Sequence, residues 1–165
     1  MTPKERRAAS SPYVIEYEGR FSFPASPQQV WSAVEHVERF ETWWGWLRDL
    51  RVEGPGLASG SVLQGVVAPP LPYRMRLRVV LLDSVPPHCI EASVHGDLVG
   101  HARLVLEPEG DGTRASVSWT IEMMQRPMRL AARIAAPLLR WGHDQVVAAT
   151  VAGFRRHLRN LPGDD

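Results

Sequence analysis

A single cysteine, Cys89, in 165 residues excludes an internal disulfide framework and any metal cluster built on several thiolates. A lone thiol also suits a reducing compartment. Charge of one sign is equally scarce: 19 Lys and Arg against 18 Asp and Glu leave a formal +1, too little for a nucleic-acid grip driven by counterion release. Long apolar runs are missing too. The longest, Leu130 to Phe154, is interrupted by Arg133, Arg140, His143 and Asp144. A bilayer span needs about 20 predominantly apolar residues, so this stretch reads as a buried or groove-lining helix. Met1 to Pro12 is polar and unpatterned, without a secretory apolar run. A soluble, cytoplasmic chain with a disordered tail over 1–12 and one folded domain over 13–160 is therefore expected. Serine elbows, phosphate loops and paired-acid motifs are absent, and no cofactor is expected.

What the sequence does have is periodicity. Tyr13, Ile15, Tyr17, Phe21 and Phe23 alternate with Glu16, Glu18, Arg20 and Ser22, which reads as a half-buried strand stopped by Pro24. Ser26-Pro27-Gln28-Gln29 then starts a helix: Ser26 caps, Pro27 suits the first position and Gln29 completes a capping box. Val30, Val34 and Val37 share its apolar face. Gly45 interrupts the next cluster, Phe40, Trp43, Trp44, Trp46 and Leu47, so two short helices are expected in succession.

From Leu50 to Gln125 the pattern is about six antiparallel strands with turn residues between them. Tyr73, Met75, Leu77, Val79 and Leu81 alternate with Arg74, Arg76 and Arg78. Ala115, Val117, Trp119, Ile121 and Met123 alternate with Ser116, Ser118, Thr120 and Glu122, after a hairpin turn at Glu109-Gly110-Asp111-Gly112. From Met128 to Leu158 the period turns helical, with one stripe through Leu130, Ile134, Leu138, Trp141 and Gln145. An adjoining stripe runs through His143, Val147, Val151, Phe154 and Leu158. Pro137 and Gly142 predict a kink or a break in this element. A sheet with one apolar face, covered by a long helix, encloses a hollow, the usual form of a small-molecule site.

Two segments carry a resemblance to a known family. Phe23-Pro-Ala-Ser-Pro-Gln-Gln-Val-Trp31, followed by Val37-Glu-Arg-Phe-Glu-Thr-Trp-Trp44, resembles the opening of the START-like (SRPBCC) superfamily, in its polyketide cyclase/dehydrase-type branch. Trp141-Gly-His-Asp-Gln-Val146, with Gly153-Phe154, is similar to the final helix of one bacterial branch. The resemblance implies an α+β helix-grip fold, a curved antiparallel sheet of about seven strands around a long C-terminal helix. It also implies a pocket mouth near Pro69 to Tyr73. Neither motif is catalytic, and folds of this kind host carriers, cyclases and partner-binding modules.

The expected ligand is a hydrophobic small molecule of polyketide, lipid or aromatic/isoprenoid type. Tyr73, Met75, Trp119, Ile121, Met123, Leu138 and Trp141 are expected to line its site. His143, beside Asp144, is the one weak catalytic candidate, able to shuttle protons near neutral pH. The plainer reading favoured here bonds His143 to strand or loop backbone, steadying a kink near Gly142. Cys89, His95 and His101 lack a compact ligand spacing and fall on the solvent face, so no metal is expected. Arg74, Arg76 and Arg78 read as a charged outer face paired with Glu91. Two alternative functions remain open: an aromatase/cyclase using the same cavity, and a protein-partner module exposing Trp43, Trp44 and Trp46 as one apolar patch.

Overall fold

The computed structural model describes residues 11–160. Of the tail expected over 1–12, residues 1–10 lie outside the described residues. Strand β1 (Val14–Phe23) is followed by α1 (Pro27–Glu35), a 3-10 turn (Val37–Arg39) and α2 (Phe40–Trp43). The capping box forms as expected: Gln29 N donates to Ser26 Oγ at 3.3 Å, and Ser26 N donates to Gln29 Oε1 at 2.9 Å. Thr113, fully buried, donates from Oγ1 to the Ala25 carbonyl at 2.6 Å and so ties the β1–α1 link to the sheet.

Six strands then form the meander: β2 (Leu47–Glu53), β3 (Val62–Val67), β4 (Met75–Val85), β5 (Cys89–Gly96), β6 (Leu98–Glu109) and β7 (Gly112–Met123). All pairings are antiparallel, in the order β1-β7-β6-β5-β4-β3-β2, so β1 joins the far end of the meander. The turn between β6 and β7 is Gly110-Asp111, with Gly110 at φ 57°, a left-handed conformation that favours glycine. On the outer face Glu91 pairs with Arg103 at 3.2 Å, not with the β4 arginines as expected. The register explains the difference, because Arg103 lies directly opposite Glu91 whereas Arg78 faces His95.

The chain ends in α3 (Arg126–Ile134) and α4 (Ala136–Arg159). The expected break falls at Ala135, and Pro137 sits in the first turn of α4, where its missing N–H costs nothing. Gly142 lies inside a continuous helix and breaks nothing, which corrects the expectation of a kink there. The result is a seven-stranded curved antiparallel sheet gripping a long C-terminal helix.

Its core packs as two clusters. One joins Phe23, Val30, Trp31, Leu106, Ala115, Phe154 and Leu158. The other joins Met75, Leu98, Met123, Met128 and Leu139.

Candidate functional site

A cavity of about 430 Å³ lies between the two core clusters and takes its walls from both. That volume is in the range of small-molecule sites. The sheet contributes inward positions of β1, β3, β4, β6 and β7, among them Ile15, Phe21, Val67, Leu77, Leu104 and Val117. Trp44 and Trp46 come from the α2–β2 link, and Leu139, Gly142, His143, Val146, Val147, Thr150 and Val151 come from α4. Among the described residues no Asp, Glu, Lys or Arg lines it.

Of the residues expected at the site, Tyr73, Met75, Trp119, Ile121 and Met123 stand in the cavity wall. Leu138 and Trp141 do not: they are 51% and 46% exposed on the outer side of α4. The error is one of helical phase. Leu139 and Gly142, the next residues along, take the inward positions. A β-carbon at Gly142 would meet the tip of the Leu71 side chain, in the segment between β3 and β4. Pro69 and Tyr73, from that same segment, border the cavity.

The few polar groups in the wall are mostly engaged with each other. Trp119 Nε1 donates to His143 Nε2 at 3.2 Å, which spans the cavity from β7 to α4. Indole N–H is a donor only, so Nε2 accepts and the ring proton sits on Nδ1, 3.2 Å from Asp144 Oδ1. The partner of His143 is therefore a tryptophan side chain, not the backbone that was expected, and Asp144 points to solvent. Tyr17 stacks on Trp119 with ring centroids 4.5 Å apart and meets His143 edge-on at 5.2 Å. Its hydroxyl folds back over Gly19, where any β-carbon would clash. Burial, and then the nearby Asp144 carboxylate, push the Tyr17 phenol above its ordinary pKa. Burial alone pushes the Tyr73 phenol up, so it stays a neutral donor.

Trp44 Nε1 donates to the Thr150 carbonyl at 3.0 Å, and Thr150 Oγ1 donates to the Val146 carbonyl at 2.7 Å. Trp46 Nε1 is buried with no acceptor among the described residues.

The tryptophans of the α2 region form no exposed patch. Trp43 packs on Phe154 and stacks on His157 at 4.2 Å, and Trp44 packs on Phe40 and Trp46. Among the described residues no three His, Cys, Asp or Glu side chains gather as metal ligands would, and His95 instead meets Ser93 Oγ at 2.9 Å. No helix among the described residues is long and apolar enough to cross a membrane.

A curved antiparallel sheet, a long gripping helix and an apolar hollow between them define a START/Bet v1-like protein. Residues 14–162 match the family described as polyketide cyclase / dehydrase and lipid transport, and the chain belongs to that family. No curated protein sequence matches it. Among solved structures, TTHA0849 from Thermus thermophilus superposes with a TM-score of 0.72 at 17% identity, covering 90% of this chain and 100% of that one. The di-domain ARO/CYC protein BexL from the BE-7585A biosynthetic pathway gives 0.71 at 16% identity, over 93% of this chain and 52% of that one. Norcoclaurine synthase from Thalictrum flavum, solved with dopamine and hydroxybenzaldehyde, gives 0.63 at 14% identity, over 96% and 95%. At these identities the likeness establishes the fold.

Proposed function

We propose that the protein binds a hydrophobic small molecule, of polyketide, lipid or aromatic type, in the cavity between sheet and α4. The observation that carries this reading is the uncharged, largely apolar wall around a volume of about 430 Å³. Apolar burial then supplies the affinity. Trp119, His143, Trp44 and Thr150 already satisfy one another, which leaves the Tyr73 hydroxyl as the donor for a ligand oxygen. The ligand is accordingly an apolar body carrying at least one carbonyl or ether oxygen. Cys89 as the only thiol supports a reducing, cytoplasmic setting.

Titration with the neutral fluorophore N-phenyl-1-naphthylamine tests this. Saturable binding that quenches tryptophan emission and survives about 1 M salt is expected, because apolar burial is little screened. A linear, unsaturable signal across a panel of such probes would remove the binding reading.

One observation favours a second reading, an aromatase/cyclase-type enzyme. His143, backed by Asp144, is an acid/base-capable ring in the wall of a cavity that could fold a reactive chain. In that case turnover of a poly-β-ketone substrate stops in His143→Ala while binding of the substrate persists.

A further inference from the structure

The outer side of α3 and the first turns of α4 hold four large apolar side chains in water: Ile134 at 78% exposure, Leu130 at 59%, Leu138 and Trp141. The core does not need them, because Met128, Ala132, Leu139 and Gly142 fill the inward positions of the same helices. On α3, steps of about 100° per residue place Arg126 and Arg133 within about 60° of Leu130 on the side away from Ile134, so two exposed arginines border one edge of the apolar ridge. Helix α3 contains no acidic residue. Arg129 is held by Glu122 at 2.7 Å, and Arg133 donates to the Tyr13 hydroxyl. Among the described residues Arg126, Arg133 and Arg140 form no ion pair with a carboxylate.

We propose that this face docks on the surface of an anionic lipid bilayer. A short basic helix with an apolar ridge is built to lie in the interface, its arginines on lipid phosphates and its apolar side chains among the upper acyl carbons. Trp141 has the amphipathic ring that settles at that depth. Charge argues against a second copy as the occupant, since self-association across this patch would bring Arg126 and Arg133 against their own images. Met128 and Leu139, on the inner side of the same two helices, line the cavity. Docking therefore sets one cavity wall against the lipid, where a hydrophobic ligand can pass between bilayer and protein. That exchange step rests on the binding reading above; the docking does not.

Flotation with vesicles tests the docking, using equal parts phosphatidylglycerol and phosphatidylcholine against phosphatidylcholine alone. The intact protein is expected to float with the anionic vesicles, weakly with the neutral ones, and to be released by about 1 M salt. Leu130→Glu combined with Ile134→Glu should lower anionic-vesicle binding at least about tenfold, and Arg126→Gln about fivefold. Both glutamates enter exposed positions, so thermal melting and N-phenyl-1-naphthylamine binding without vesicles should be unchanged. Binding of the probe without any vesicle binding overturns the docking and leaves the cavity reading standing. Vesicle binding indifferent to Leu130 and Ile134 also overturns it, as does a concentration-dependent dimer abolished by the same glutamates. Vesicle binding without probe binding keeps the docking and removes the exchange step.

Discussion

Replacing His143 by alanine removes the acceptor 3.2 Å from Trp119 Nε1 and leaves that donor facing an uncharged cavity. An orphaned buried donor costs about 1–3 kcal/mol. The lost ring contacts with Tyr17 and Trp119, at 5.2 and 5.5 Å, add about 0.5–1.5 kcal/mol. Two terms run the other way or vanish: alanine's better helix propensity returns about 0.5 kcal/mol, and the exposed contact with Asp144 contributes little once screened. The net loss is about 1–4 kcal/mol, measurable by urea denaturation as a shift in midpoint without a change in slope. His143→Gln, whose amide oxygen can accept from the indole, should recover part of it. The decisive arm is a double-mutant cycle. In His143→Ala combined with Trp119→Phe the orphaned donor is gone, so the pair should cost at least about 1 kcal/mol less than the sum of its parts. Additivity within about 0.5 kcal/mol would refute the latch between β7 and α4.

Other consequences follow from how α4 is seated. Gly153→Ala and Gly142→Ala each gain about 1 kcal/mol of helix propensity, yet they should diverge. A β-carbon at Gly153 meets the Trp43 backbone carbonyl, which cannot move aside, and the variant should lose about 2 kcal/mol or more. At Gly142 it meets the tip of the Leu71 side chain, which can swing away, so thermal melting should stay near the parent value. His157 should make the protein acid-sensitive. Burial, then Arg39 and His36, lower its pKa below 6.5, so the unfolded chain binds the proton first. Its contribution is complete above pH 6.5 and is lost as the pH falls toward the depressed folded value. His157→Gln should therefore flatten the decline in melting temperature on the acid side of 6.5, and an unchanged slope would contradict the assignment.

Local signals were read directly in the sequence. The Ser26 capping box, the Gly110-Asp111 turn and the alternation of Ala115 to Met123 each depend on neighbours a few residues away. The phase of α4 was not, because both of its stripes are apolar: Leu130, Ile134, Leu138 and Trp141 are as hydrophobic as Val147, Val151 and Phe154. The break at Ala135 also removes the continuity that would have fixed one stripe from the other. A usable signal was present in the glycines. Gly142 and Gly153 lie about three turns apart on one face, the face that backbone and side chains approach most closely. In the sequence Tyr17 falls into the β1 alternation with Ile15 and Phe21, and nothing in that alternation sets it apart. Its place beside the site is marked only by Gly19, two residues on and on the same face, which leaves room for the ring. The Trp119–His143 bond joins β7 to α4, and nothing in a single sequence pairs two such distant residues.

Ligand binding in the hollow between the two core clusters can be measured against a variant that fills it. Calorimetric titration of N-phenyl-1-naphthylamine into the parent protein and into Val117→Trp tests it most directly. Val117 projects from the middle of β7 into the cavity, and a tryptophan there fills the space a ligand would take. The parent should show one saturable site with a negative heat-capacity change, as apolar burial requires. The filled variant should stay folded and bind at least about tenfold more weakly, a loss of about 1.4 kcal/mol. Equal affinity in the two proteins, or no saturable binding in the parent, would rule out a binding site in this hollow.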